Sequence, residues 1–413
     1  MDAHDVEQLL TPQGLRLLDE VTALETSLDV VAAVSRLRKV GHNAALVAAV
    51  ISQARLRQKA RAKFGDFADT MLFTPAGLEQ STRFAVAAHH AGRFSRAGFR
   101  RIADLGCGIG GDALALASLG IHVLAVDSDQ VTAAFASYNL APFADSEVRH
   151  ATADAVDLGD MDALWFDPAR RTTGHTSSTR LADPGDWSPT LDWVFARAAE
   201  KPSGIKLGPG YPLESIPHEL GGQPVEAQWI DVKGETVELV LWTGALARDG
   251  VGRSALVLAR DGEPTGYHEM TGAGESSDPH VGELGAFVYE PHGAVIRARL
   301  IGDLARSLAA HALDEHIAYL SADTHTPTPF ADTFRVLEVL PLDPKKISRA
   351  LADRQIGALE IKKRGVDVDP ATFRTKLRLN GPESATLLLM RLGSGASSRR
   401  LAVLAERVSW IGP

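Results

Sequence analysis

The sequence predicts an α/β protein in which a parallel sheet with crossover helices follows a helical N-terminal region and precedes an α+β C-terminal domain. Three observations predict it. Residues 6–95 carry apolar side chains at helical spacing. From Arg101 onward, short apolar runs alternate with helical stretches. Between the first such run and the helix after it lies a glycine-rich loop, Gly106-Cys107-Gly108-Ile109-Gly110-Gly111.

Thr11-Pro12 offers a cap with proline at the first helical position, and Leu15, Leu18, Val21, Leu24 and Leu28 keep helical spacing behind it. A second helical segment runs from Ala44 to Phe64; its Arg55, Arg57, Lys59, Arg61 and Lys63 are expected as a solvated face. The expected strands of the sheet are Arg101–Leu105, His122–Val126, a weaker one near Val148–Thr152, Ala163–Phe166 and Gly204–Leu207. Helices are expected at Asp112–Leu119 and Val131–Asn139. Two longer runs, Val225–Val232 and Thr236–Trp242, flank Lys233-Gly234-Glu235 as an antiparallel hairpin that closes the sheet.

Gly, Pro, Ser and acidic residues dominate 262–285, which is expected as a long connection. Beyond it the pattern predicts a helix around Ala294–Ala312, a strand at Arg335–Leu340, a helix after Asp343-Pro344, and strands at Ala358–Lys362 and Ala385–Leu392. The expected division is 1–95 helical, 96–245 sheet domain, 246–330 connecting region and 331–413 α+β domain.

With 413 residues each part is large enough to bury a core. The single Cys107 excludes an internal disulfide, and no Cys/His cluster has zinc spacing, so a metal-free fold in a reducing compartment is expected. The start lacks a basic n-region and apolar h-region, and no run of 18 apolar residues occurs; a cytoplasmic protein without a membrane span is expected. The formal net charge of −9 argues against a globally basic nucleic-acid binder. From Lys345 to Arg407, however, 14 Lys/Arg stand against 6 Asp/Glu, a net +8 that leaves about −17 for the remainder.

Gly106, Gly108 and Gly110 after a strand let the backbone turn tightly and approach a nucleotide-like ligand. Gly106, Gly108 and Gly111 also fit the dinucleotide G-x-G-x-x-G spacing, so the loop alone does not separate S-adenosylmethionine from NAD. Asp104 does. A carboxylate two residues before the first glycine repels a pyrophosphate and attracts the sulfonium and ammonium of S-adenosyl-L-methionine. Asp127, followed by Ser128, ends the second strand, where its oxygens can accept both ribose hydroxyls. Asp154, with Asp157 as its competitor, can accept the adenine amine while the Ala155 backbone reads the ring edge. These positions lie at the carboxyl ends of successive strands, where open α/β sheets hold ligands. Cys107 is expected to pack in the turn without catalysing anything.

After the fourth run comes Trp165-Phe166-Asp167-Pro168-Ala169-Arg170-Arg171. Methyl transfer is an in-line displacement, and an amine nucleophile is helped by acceptors for its N–H groups; Asp167 and the Pro168 carbonyl can supply them. Lys206, at the end of the fifth strand, either lines the crevice or snorkels at the sheet edge. His89, His90, His311 and His316 are expected at the surface or on helices.

On Ala103-Asp104-Leu105-Gly106-Cys107-Gly108-Ile109-Gly110-Gly111-Asp112, Ala125-Val126-Asp127 and Phe166-Asp167-Pro168-Ala169-Arg170-Arg171, residues 101–245 resemble a class I S-adenosylmethionine-dependent methyltransferase. With Leu359-Glu360-Ile361-Lys362-Lys363-Arg364-Gly365, the whole chain resembles the bacterial members that carry a C-terminal THUMP-like domain. The resemblance implies a seven-stranded Rossmann-like domain and an RNA-related substrate. In amino-directed nucleic-acid members the tetrapeptide after strand four is Asp/Asn/Ser-Pro-Pro-aromatic; here Ala169 replaces the second proline and Arg170 the aromatic, which leaves base stacking to the Arg170 guanidinium or to Phe166, or a phosphate clamp to Arg170 and Arg171. The basic C-terminal segment, Lys345, Lys346, Lys362, Lys363, Arg364, Arg374, Lys376 and Arg378, then reads as an RNA-tracking surface. Three other readings stay open: a non-catalytic RNA-binding protein of this fold, a methyltransferase of a small molecule or protein, and an NAD-dependent oxidoreductase.

Overall fold

The computed structural model describes residues 3–23, 36–170, 187–258, 266–393 and 398–410. The chain divides into two compact units. The first comprises Met1–Leu207, Tyr211–Val225 and Leu241–Ala247; the second comprises Gly208–Gly210, Glu226–Val240 and Arg248–Pro413.

In the first unit, strands β1 (Arg101–Leu105), β2 (His122–Asp127), β3 (Ser146–His150), β4 (Ala163–Phe166) and β7 (Ser203–Leu207) pair in parallel in the order β3-β2-β1-β4-β7. The short strands β5 (Ala169–Arg170) and β6 (Trp187–Ser188) pair with each other. β1 from Ile102 onward and all of β4 are buried on both faces, as strands covered on both sides are, and Asp104 is the one charged side chain among those buried positions. The helices Gly111–Ser118 and Gln130–Leu140 follow β1 and β2 as crossovers.

The N-terminal helices belong to this unit. Thr11 Oγ1 accepts the Gly14 N–H at 3.1 Å ahead of the helix Pro12–Ala23, as its sequence predicts. Leu18, Val21, Val47 and Val50 pack with Leu72 and with Phe135 of the helix Gln130–Leu140 in one cluster. The expected solvated face of the helix Ala44–Phe64 is only partly one. Arg57 is buried, donating to the Met71 carbonyl at 2.9 Å and pairing with Asp19 at 3.2 Å. Arg61 pairs with Asp69 at 3.0 Å. Lys63 Nζ meets the carbonyls of Leu78, Glu79 and Ser81 at 2.8, 2.6 and 2.8 Å. Helical spacing marks a charge as surface-facing but is blind to distant carbonyls that can satisfy it.

The second unit holds the tip of the hairpin β9 (Gln223–Val232) and β10 (Glu235–Thr243). Its turn residues Lys233 and Gly234 stand at φ 54° and 85°, the positive values of the turn whose twist matches a two-residue hairpin. β11 (Arg253–Leu258) pairs in parallel with β9, and β12 (Tyr267–Gly272) antiparallel with β11. A second sheet runs β14-β15-β13-β16-β19-β18-β17, from His311–Asp314, Ile317–Ala322, Phe287–Pro291, Ala331–Pro341, Arg399–Val408, Glu383–Leu392 and Ile356–Arg364. The stretch expected as a connecting region thus carries β11 to β15. The helix expected over Ala294–Ala312 is two helices, Gly293–Arg297 and Ile301–Leu308, separated at Arg299, whose φ is 58°, and the chain enters β14 at His311. Asp343 caps the helix Pro344–Asp353, as Asp343-Pro344 predicts. No described helix is long and apolar enough to cross a membrane.

Candidate active site

The site is built around the turn from β1 into the helix Gly111–Ser118. Asp104 is buried, and neither of its carboxylate oxygens has a hydrogen-bond partner among the described residues. Burial, reinforced by the negative charges of Asp112 and Asp167, pushes its carboxyl well above the usual range; Lys206 opposes this. A buried carboxylate with no donor is costly to keep in a fold without a ligand that answers it. A cationic ligand group does so, which is the fit expected of an ammonium and not of a phosphate.

Gly106 has φ +94°, and a Cβ there would stand 2.7 Å from the Asp167 carbonyl oxygen. The end of β4 therefore lies directly against the loop, and only glycine admits both the dihedral and the approach. Asp127 ties β2 to the same loop: its two oxygens accept the Gly108 N–H at 3.0 Å and the Asp129 N–H at 2.9 Å. Each oxygen keeps a second acceptor site, so ribose recognition remains compatible with these bonds. Burial raises the Asp127 carboxyl despite both bonds. Ser128, Asp154 and Ala155 are exposed, Asp154 and Ala155 within the 3-10 turn Ala153–Ala155. Cys107 is buried, its thiol raised by burial and by Asp104 and Asp127, which leaves it a poor nucleophile.

Asp167 is half-buried, and one of its oxygens accepts from Lys206 Nζ at 2.7 Å. The sequence leaves Lys206 between lining the crevice and snorkelling at the sheet edge; it does not point to the ion pair with Asp167 that the structure shows. Pro168 is buried and Ala169 exposed. The Arg170 side chain, Arg171 and the loop 172–179 lie outside the described residues. Phe166 is fully buried, with its ring edge-on to Trp193 at 6.0 Å between centroids, so it offers no face to a base.

Sequence reading missed a second acidic group. Asp112, next after the glycines, meets His90 Nδ1 at 2.9 Å in the interior. Burial works to raise the Asp112 carboxyl, but the hydrogen bond and charge of His90, helped by Lys206, hold it below its usual value. His90, its ring tilted against Trp165 at 4.5 Å between centroids, lies with His89 on the helix Phe84–Arg96, the second of the two placements expected for them, and both are buried. The adjacency of Asp112 to the loop was the available signal; its partner comes from the helix Phe84–Arg96, with no local mark. Asn139 was also missed. It accepts from Leu72 N–H at 2.7 Å and donates to the carbonyls of Leu72 at 3.0 Å and Ile109 at 2.9 Å, fastening residues 71–73 to the glycine loop. Among the described residues no group of three His, Cys, Asp or Glu is placed to hold a metal.

Against known proteins, residues 331–407 match the family described as THUMP domain-like, and residues 2–60 match a domain of unknown function, DUF8688. An uncharacterized S-adenosylmethionine-dependent methyltransferase of Mycobacterium tuberculosis, recorded in two strains, is 32% identical over 357 residues, spanning 85% of this chain and 94% of its own. The fold is similar to the crystal structure of a candidate methyltransferase of Porphyromonas gingivalis W83, with a TM-score of 0.72 at 19% identity over 97% of this chain and all of that one.

Proposed function

Because the chain belongs to the S-adenosylmethionine-dependent methyltransferases, we propose that it transfers the methyl group to a base nitrogen of RNA. Asp104 takes the cofactor's ammonium, the backbone from Gly106 through Cys107 and Gly108 to Gly110 lies along it, Asp127 and Ser128 take the ribose, and Asp154 and Ala155 take the adenine. S-adenosylmethionine supplies a methyl carbon made electrophilic by its sulfonium.

The observation that carries the chemistry is the Asp167–Lys206 pair, held at the end of β4 against Gly106. A carboxylate bonded to an ammonium is a weak base but still an acceptor. Asp167 therefore orients an amine by accepting its N–H, together with the Pro168 carbonyl, and Lys206 fixes the carboxylate in that role. Arg170 is assigned to the nucleotide on sequence grounds alone. The THUMP domain-like match at 331–407 supports RNA as the substrate class.

The test is incorporation of tritiated methyl groups into bulk cellular RNA by purified protein. Wild type labels RNA and Asp167→Ala does not. Equal labelling would remove Asp167 from the mechanism, and label entering protein or a small molecule instead would replace the substrate class.

A further inference from the structure

Two groups of basic residues between Lys345 and Arg407 differ in what they touch. One set is neutralised within the second unit. Lys362 Nζ lies 2.6 Å from Glu290 and 3.5 Å from Asp332, Arg364 lies 3.1 Å from Glu290, and Arg407 lies 2.7 Å from Asp332 and 2.8 Å from Glu360. Burial works against the Asp332 carboxyl, but Arg407 and Lys362 hold it down at about 2, so this network stays ionised at neutral pH. Lys362 and Arg407 also stand over the Phe334 ring at 5.7 and 5.0 Å. Cations bound this way have little charge left for an external partner.

The other set is Lys345, Lys346, Arg349, Lys376 and Arg378. All five are exposed, and none forms an ion pair with a described residue. They come together for a reason internal to the fold. The helix Pro344–Asp353 buries Ile347 and Leu351, and the segment after the helix Pro370–Arg374 buries Leu377 in the same apolar cluster. Lys376 and Arg378 flank Leu377 and face water. The Arg378 N–H lies 3.3 Å from Ser348 Oγ, which shares a helix face with Lys345 and Arg349 at helical spacing. Asp343, the carboxylate at the start of this helix, is turned to the N–H groups of Lys345 and Lys346.

We propose that this face, and not the Lys362-Lys363-Arg364 run, binds the phosphodiester backbone of the RNA substrate. The assignment rests on the RNA reading above. A row of unpaired, solvated cations on rigid elements suits counterion-releasing contacts with successive phosphates, whatever the base sequence.

The experiment uses the full chain, a fluorescently labelled 30-nucleotide single-stranded RNA, and anisotropy titrations over a range of salt. The variant Lys345→Gln/Arg349→Gln/Lys376→Gln/Arg378→Gln is compared with Arg55→Gln/Lys59→Gln, a control at exposed cations of the first unit. With about 0.7 counterions released per phosphate contact on a single strand, loss of four contacts lowers the log–log salt slope by about 3. The four-site variant binds at least about 30-fold more weakly at 0.1 M salt, with unchanged melting temperature and cofactor affinity, while the control binds as wild type does. An unchanged slope and affinity in the four-site variant, no RNA binding by wild type, or equally tight binding of polyglutamate would each overturn the proposal. Methyl transfer reports on the RNA reading separately. RNA bound through this face but never methylated would sink that reading and leave the surface standing; RNA bound and methylated equally well by the four-site variant would do the reverse.

Discussion

Lys206 Nζ and an Asp167 carboxylate oxygen lie 2.7 Å apart at the carboxyl ends of adjacent strands, and the Asp167 backbone closes on Gly106. The pair thus joins the residue after β4 both to β7 and to the glycine loop. An acceptor restrained from two sides loses little entropy when a substrate hydrogen bond forms.

Removing either partner affects turnover more than cofactor binding. Asp167→Ala is expected to lower kcat about 10²- to 10³-fold, the usual scale for one transition-state hydrogen-bonding group. Lys206→Met, which removes the ammonium from beside Asp167 and keeps the carboxylate, is expected to lower kcat by about 10-fold and raise the pH at which activity appears, because a carboxylate deprived of that cation holds its proton more tightly. Single-turnover rates across pH check both, with calorimetry confirming that cofactor affinity changes less than about threefold.

Asp104→Asn is expected to trade binding for stability. Replacing the charged acceptor removes charge-assisted bonds worth about 1.5–3 kcal/mol each, so affinity for S-adenosylmethionine falls about 10- to 100-fold. The ligand-free protein, relieved of a buried carboxylate without a donor, should melt a few degrees higher at neutral pH. Titration calorimetry and thermal denaturation are the measurements; a lower melting point with unchanged affinity would contradict the assignment.

The raised Asp104 carboxyl also gives a pH signature. In the ligand-free fold it binds a proton more tightly than in the unfolded chain, so its contribution to stability is complete below the unfolded value near 4 and declines as pH rises toward the folded one. In the proposed site cofactor binding requires the ionised form and so is expected to release a proton within that window. Calorimetry in two buffers of different ionisation enthalpy is expected to show release in wild type and none in Asp104→Asn.

Asp112 has the opposite sign. Its carboxyl is depressed in the fold, so its stabilising contribution is present above the unfolded value near 4 and is lost as pH falls through the lower folded value. His90→Leu leaves a buried carboxylate without its partner and should cost about 3–5 kcal/mol, the scale for breaking a buried pair. Urea unfolding at pH 7 and pH 4 measures it, with the gap between variant and wild type narrowing at the lower pH.

Gly106→Ala introduces a Cβ 2.7 Å from the Asp167 carbonyl at a φ that L-residues avoid. The strain, about 1–3 kcal/mol, displaces the Asp167 backbone and not only the loop. Activity should therefore fall further than cofactor affinity, as the ratio of kcat loss to Kd change reports.

The parts legible in the sequence are those whose physics is local. A strand, a glycine turn and an acid two residues before it lie side by side in sequence, so the turn from β1 into its helix was legible along the chain, and Lys233-Gly234 announced its own turn. The Asp343 and Thr11 caps were legible for the same reason. What was hidden depends on partners far away in sequence: Arg57 answering Met71 and Asp19, His90 answering Asp112, Lys206 answering Asp167. The same holds for β13, which pairs with β15 and β16, about 30 and 44 positions further along the chain. Charge counting misled most at 345–407, because a count cannot tell a lysine held by two acids from one facing water.

The Asn139 side chain bonds residue 72 on one side and residue 109 on the other. A clip, tag or sequence swap introduced around residues 71–73 would thus reach the glycine turn through a single amide, and a protease that nicks there should disarm the enzyme without touching any residue proposed for its chemistry.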